Sequence, residues 1–270
     1  MKSVENPYLR YSSPTVIAHR GGGGLAPENS ILAFDQAAAM EGVHALELDI
    51  HSTRDGQLIV AHDEDVDRMT NGTGLIREMT AAEVRELDAG YDWTDDGGKT
   101  FPFRGQGHYL PTLDEIFERY PNYTISIDIK QHDKETVDLF VALIKKYNIQ
   151  KSVVAGSFNN KTVARFRALM PEVATCATFN EVLSFYLLNK VGLSNLWRGQ
   201  CCAFQIAEFD EGERLRVIDE CFVRNLQARG IQLYVWTVND SAEMHRLLDW
   251  GVDGLITDYP DRLIDVIRSR

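Results

Sequence analysis

HALELDIHSTRDGQLIVAH, residues 44–62, is the stretch on which the fold turns. Its two apolar arms flank Asp55-Gly56, a dipeptide that favours a hairpin because glycine takes the positive φ such a turn needs. A turn centred near residue 55 pairs residue 48 with residue 62. It also sets His62 beside Glu47 and Asp49, which share one face because they lie two apart on a strand. The alternative, a parallel third strand, would need an unusually short crossover.

Outward from this hairpin, apolar runs of strand character recur at 14–18, 44–50, 57–61, 123–129, 151–156, 172–176, 202–206, 231–238 and 252–257. Helical patterns lie at 29–41, 112–120, 134–148, 159–169, 180–190, 213–229, 241–250 and 260–268. Asn29 is the expected N-cap of the first helix, and Gly230 and Gly251 sit where helix C-caps belong. Nine strands are one too many for a regular alternation. Folding 57–61 back as a hairpin arm leaves eight strands followed by helices. That predicts an α/β fold, a TIM-type (β/α)8 barrel, which typically occupies about 250 residues.

Residues 63–110 break the rhythm. They are polar, rich in Gly and Asp, and carry only a short helix signal near 80–88, where Thr80 and Glu83 form a capping-box pattern. We read residues 1–270 as a single barrel domain with 63–110 as a small insertion subdomain over one end of the barrel.

The chain has 28 Lys and Arg against 40 Asp and Glu, a net charge of −12. That excludes a general nucleic-acid binder, which needs a basic footprint. An anionic partner must therefore be drawn in by local cations or a metal. Cys176, Cys201, Cys202 and Cys221 form no CxxC pair, and a reduced, cytoplasmic protein is expected. MKSVENPYLRYSSP lacks the apolar stretch of a signal peptide, and no run reaches the roughly 18 apolar residues of a membrane span.

Chemistry gathers at predicted strand ends. Thr15-Val-Ile-Ala18 leads into His19-Arg20 and the glycines Gly21 to Gly24. Glu47 and Asp49 are two carboxylates on one face of a buried strand, costly there unless they are paired or hold a cation. All-oxygen ligation suits Mg²⁺ or Ca²⁺. Asp128 and Lys130 repeat the spacing, as a third ligand and a phosphate-holding cation. His19 and His62 each end a strand beside a charged residue, and imidazole suits acid–base chemistry near neutral pH. His44, His51, His108, His132 and His245 read as structural or surface residues. Arg20 is a natural phosphate clamp, and the glycines let backbone approach a ligand. Trp236 reads as an apolar wall, and Asn239 and Asp258 as caps of the helices that follow them. Together the segments predict a metal-assisted site for an anionic substrate, a phosphodiester.

HRGGGGLAPENSILAF, ELDIHSTRDGQLIVAHDEDVDRMTNGTG, PTLDEIF, SIDIK, SF, WTVN and GVDGLITDYPD, spread in order over residues 15 to about 261, resemble the glycerophosphodiester phosphodiesterase family. The resemblance implies a TIM-barrel hydrolase that releases glycerol 3-phosphate and an alcohol with a divalent cation, and it favours an internal route through a cyclic phosphate. It implies His19 and His62 as the acid–base pair, Arg20 and Lys130 as phosphate-binding, Glu47 and Asp49 as metal ligands, and Gln205 and Trp236 as substrate-binding. Asp128 stands where the family usually has glutamate, so its ligand role needs a closer strand or a bridging water. Ala207 replaces the proline of a Gln-x-Pro segment at Gln205.

The expected cofactor is one divalent cation, Mg²⁺ ahead of Ca²⁺ because a reduced cytosol supplies it. The apolar segment 179–200, FNEVLSFYLLNKVGLSNLWRGQ, follows the sixth strand on the active-site face and predicts contact with a lipid or membrane surface. Hydrolysis of lysophospholipids in the manner of a lysophospholipase D is therefore the nearest alternative. A non-catalytic head-group-binding module is the alternative from another class. The intact His19, Arg20, Glu47, Asp49 and His62 argue against it.

Overall fold

A computed structural model describes residues 4, 6–11, 14–210, 212 and 214–270. Its strands are β1 (Thr15–Ala18), β2 (Ala45–Ser52), β3 (Leu58–Val60), β4 (Thr124–Ile129), β5 (Val153–Gly156), β6 (Ala174–Thr175), β7 (Ala203–Ile206), β8 (Gln232–Val235) and β9 (Gly254–Thr257). Its helices are α1 (Ile31–Ala39), α2 (Ala81–Arg85), α3 (Leu113–Arg119), α4 (Lys134–Tyr147), α5 (Asn160–Leu169), α6 (Phe179–Lys190), α7 (Glu220–Gln227), α8 (Ser241–Asp249) and α9 (Pro260–Arg268).

The parallel strands run in the order β6-β5-β4-β2-β1-β9-β8-β7. A parallel bridge between Cys176 and Ala203, with Cys202 N–H donating to the Thr175 carbonyl at 2.9 Å, joins the two ends into a TIM-type (β/α)8 barrel. The hairpin of residues 44–62 sits as its sequence requires. β3 pairs antiparallel with β2, His51 opposite Ile59 and Ile50 opposite Val60, and lies off the path of the parallel strands. Continued by two residues, that register sets Leu48 opposite His62. Gly56 closes the turn at φ +76°.

The barrel interior is floored by small side chains, Ala45, Ala174 and Ala203 among them, with Ile17, Val154 and Ile256. The gap they leave is filled from outside the barrel. Tyr8, fully buried, packs its ring 4.5 Å from that of Tyr234. The larger apolar layer lies between strands and helices, where Phe185, Trp197, Phe204 and Phe222 interlock edge to face. Residues 63–110 have a small core of their own: Val66, Met69, Ile76, Val84, Ala89 and Leu110 pack on Ile59 of β3 and on Ala61 just past it. The Thr80–Glu83 capping box forms.

Two helix starts differ from expectation by more than one residue. Ser30, not Asn29, caps α1, accepting from Ala33 N–H at 3.2 Å; Asn29 is buried at φ +58°. The helix expected over 213–229 is α7 alone. Asp210 holds the amides of Arg214 and Leu215, and a bridge from Phe209 to Arg216 shapes the chain before it. Its expected start, Glu213, lies outside the described residues. Among the described residues no helix is long and apolar enough to cross a membrane.

Candidate active site

Parallel strands deliver their C-terminal ends to one mouth, and the charged residues of the sequence motifs collect there. His19 and Arg20 follow β1 directly. Glu47 and Asp49 lie on β2, and Asp49 stands in register with Asp128 of β4. Arg20 takes a left-handed backbone at φ +52°, and its N–H donates to Glu47 Oε2 at 3.0 Å. The glycines serve the loop itself. A Cβ on Gly21 would fall 2.9 Å from the Phe34 ring, and one on Gly24 would fall 2.5 Å from that of Tyr259.

Each histidine is held by a carboxylate. His19 Nδ1 lies 2.7 Å from Asp258 Oδ1, and His62 Nδ1 lies 2.6 Å from Asp63 Oδ1. Burial would raise both carboxyls, but Asp258 is held below the usual range by His19, and Asp63 by Arg68 and His62. As ionised acceptors they receive a hydrogen bond from Nδ1–H and leave Nε2 of each ring for chemistry. His19 Nε2 sits 4.0 Å from Glu47 Oε2. Burial disfavours the His19 imidazolium, yet the Asp258 hydrogen bond and the Glu47 charge outweigh it and raise the pKa.

Glu47 and Asp49 are both buried. Burial, with Asp49 alongside, pushes the Glu47 carboxyl up to about 7. Burial would also raise Asp49, but Lys130 and Arg20 hold it low. Lys130 Nζ lies 3.1 Å from Asp49 Oδ1 and 2.8 Å from Asp128 Oδ2. Arg20 Nη1 bonds Glu28 at 2.9 Å, while its buried Nε, 3.5 Å from Asp49, has no hydrogen-bond partner.

Among the described residues no group of three or more His, Cys, Asp or Glu side chains is gathered as a metal shell. Asp128 is turned to Lys130 instead. Glu47 and Asp49 nonetheless fit a divalent cation. They are two buried oxygen donors on one face, and one is short of positive charge. Beside them the buried Asn29, 3.4 Å from Asp49 through Nδ2, leaves its Oδ1 unpartnered. Mg²⁺ commonly takes one or two carboxylates and completes its shell with water and substrate phosphate.

Residues 19–262 match the model of the glycerophosphoryl diester phosphodiesterase family. The chain belongs to that family. A glycerophosphodiester phosphodiesterase of Caldanaerobacter subterraneus is 34% identical over 261 residues, 94% of this chain and 98% of its own. The human lysophospholipase D GDPD1 is 29% identical over 94% of this chain and 86% of its own. A phosphodiesterase of Oleispira antarctica, solved with the product sn-glycerol 3-phosphate, superposes with a TM-score of 0.72 at 26% identity, covering 94% of this chain and 97% of that one.

Other family positions are now placed. Gln205 lies on the barrel floor, its Nε2 donating to the Tyr8 hydroxyl at 2.7 Å and its amide bonding Ser126. Trp236 is half-buried at the mouth and meets the exposed Phe158 edge-on at 6.0 Å. Phe158 in turn lies 5.7 Å from Lys130 Nζ, so the two rings wall one side of the carboxylates.

Two contributions escaped the sequence reading, the Asn239–Asp258 pair and Tyr8. Asn239 and Asp258 cap no helix: Asp240 caps α8, and Tyr259 precedes α9. Asn239 Nδ2 instead fixes Asp258 Oδ2 at 2.7 Å, behind His19. Their place in WTVN and LITDYPD, at the ends of β8 and β9, was the available signal. His51, a structural or surface residue by its sequence, is structural: it bonds the His62 carbonyl through Nε2 at 3.1 Å and braces that strand end. Tyr8 carried no signal, because nothing in PYLR indicates that a tyrosine enters the barrel.

Proposed function

We propose that the protein hydrolyses glycerophosphodiesters to glycerol 3-phosphate and an alcohol. One observation carries the reading: two carboxylate-oriented histidines, His19 and His62, flank the buried Glu47–Asp49 pair with Arg20 alongside. One imidazole takes the proton of the nucleophile, which is either water or the substrate's own glycerol hydroxyl; the hydroxyl route expels the alcohol and closes a cyclic phosphate, which water then opens to glycerol 3-phosphate. The other protonates the departing alkoxide. Asp258 and Asp63 keep each ring in the tautomer that presents Nε2. Arg20, with an unspent buried N–H, and Lys130 neutralise charge that builds on the phosphate. Trp236 and Phe158 face the substrate as an apolar wall, and Gln205 bonds it from the barrel floor.

One divalent cation, Mg²⁺ ahead of Ca²⁺, would be held by Glu47 and Asp49, with Asp128 as a third carboxylate. Bound there, it supplies Lewis-acid polarisation of a phosphoryl oxygen. The small number of protein donors favours Mg²⁺. A cytoplasmic location is part of the same proposal, supported by four free cysteines.

The test is release of glycerol 3-phosphate from glycerophosphodiesters with EDTA and with Mg²⁺ or Ca²⁺ restored. Release that EDTA abolishes and Mg²⁺ restores supports the reading. No hydrolysis under any metal overturns it.

A second reading rests on α6. The helix buries Phe185 but leaves Phe179 and Leu187 more than half exposed, with Leu183, Val191, Leu193 and Leu196 also exposed along the same segment. An apolar stripe beginning at the barrel mouth suits an acyl chain or lipid surface, and so a lysophospholipase D type of substrate. Turnover of glycerophosphocholine with no turnover of lysophospholipid micelles and no liposome binding removes this reading.

A further inference from the structure

Arg68 belongs to the inserted segment, not to the barrel, yet it reaches Asp63 beside His62 and Glu28 in the loop that follows His19 and Arg20. Its Nε donates to Asp63 Oδ2 at 2.6 Å. Its Nη1 and Nη2 donate to the two oxygens of Glu28 at 3.0 and 2.7 Å. Asp63 orients His62 through its other oxygen, and Glu28 Oε1 also receives Arg20 Nη1 at 2.9 Å. The backbone N–H of Arg20 ends on Glu47. A run of charge-assisted side-chain bonds therefore leads from His62 through Asp63, Arg68 and Glu28 to the Arg20 guanidinium, and the backbone of the same Arg20 meets Glu47.

We propose that Arg68 is a positioning residue, which sets the orientation of His62 through Asp63 and of the Arg20 guanidinium through Glu28. The inference rests on the acid–base reading of His62 and the phosphate-binding reading of Arg20.

The geometry separates this role from a structural one. The Arg68 side chain is 52% exposed, and ion pairs so exposed add little to stability. What Arg68 adds is direction. A planar guanidinium meets two carboxylates from different loops in one fixed plane, which a lysine ammonium cannot do. Without it, Glu28 keeps Arg20 alone as a cation among the described residues, and Asp63 is free to turn away from His62. The insertion does not depend on Arg68 for its place. Trp93 Nε1 donates to the Gly23 carbonyl at 2.9 Å, and the Val66–Leu110 cluster packs on Ile59 of β3 and on Ala61.

The experiment compares wild type, Arg68→Ala and Arg68→Lys in full-length protein saturated with Mg²⁺, using glycerophosphocholine. Steady-state kinetics are measured together with thermal melting and the ¹⁵N signals of the histidine rings. Misplacement of a reacting group by an ångström can cost about a hundredfold. In Arg68→Ala, kcat should fall about tenfold to a hundredfold, while Tm moves by no more than a few degrees. The His62 tautomer signal should lose its Nδ1–H preference. Arg68→Lys should stay impaired, and added guanidinium should restore part of the Arg68→Ala rate. Unchanged kcat in Arg68→Ala, an unchanged His62 tautomer, or full recovery in Arg68→Lys overturns the inference. Absence of hydrolysis by wild type defeats the functional reading instead, so the two failures are distinguishable.

Discussion

Asp258 Oδ1 stands 2.7 Å from His19 Nδ1, and Asn239 holds the other Asp258 oxygen. Burial works against the imidazolium of His19, but this bond and Glu47 outweigh it, so the folded pKa is raised. The sign of the linkage follows. The stabilisation is complete below the unfolded value of about 6.5 and is lost as pH rises through the folded one. In Asp258→Asn, the His19 midpoint seen by proton NMR in EDTA-treated protein should move down. The stability gap between wild type and variant should narrow as pH rises through the wild-type midpoint. An unmoved midpoint contradicts this role.

Glu47 carries the second prediction. A carboxyl pushed up to about 7 is protonated where an ordinary glutamate is ionised. A proton and a cation then compete for it, so Mg²⁺ affinity by calorimetry should weaken as pH falls through about 7, by up to about tenfold per unit. Glu47→Gln should remove both the affinity and its pH dependence. A flat profile between pH 6 and about 8 would exclude Glu47 as a ligand.

Asp128 gives the third. It shares Lys130 with Asp49, and both lie on one face of adjoining strands. If it joins the cation, Asp128→Ala should weaken Mg²⁺ binding about tenfold or more, and Asp128→Glu should retain it. Wild-type affinity in Asp128→Ala removes Asp128 from the ligand set.

The fold was legible because its decisive features are local. Asp55-Gly56 fixed the hairpin, and the register of His51 on Ile59 is the one that a turn at residue 55 dictates. His19, Glu47, Asp49 and His62 were legible because charge at the end of an apolar strand is costly without a purpose. The partners of the histidines were harder. Asp63 adjoins His62, but Asp258 lies 239 residues from His19 and reaches it only when β9 pairs with β1. Asn239 and Asp258 sit just ahead of helices, so local pattern favoured caps, and long-range pairing decided otherwise. Arg68 and Tyr8 act across loops and through the barrel floor, where periodicity carries no information.

α6 supplies a fourth prediction, since its two faces differ. Phe185 is fully buried among Trp197, Phe204 and Phe222. Phe185→Ala should cost about 3–5 kcal/mol in urea unfolding. Leu187→Ser, on the exposed face, should change stability by no more than about 0.5 kcal/mol. If α6 meets lipid, Leu187→Ser should slow turnover of lysophospholipid micelles and leave that of glycerophosphocholine unchanged. Equal rates on micelles contradict lipid contact at this position.

The central claim is that His19 and His62 share the proton transfers of phosphodiester hydrolysis. The rate of glycerol 3-phosphate release from glycerophosphocholine at saturating Mg²⁺, for wild type, His19→Ala and His62→Ala, tests it most directly. General acid–base groups contribute about 10²–10⁴-fold, so each variant should fall by at least about 10²-fold while remaining folded. Near-normal release by either variant would contradict the account.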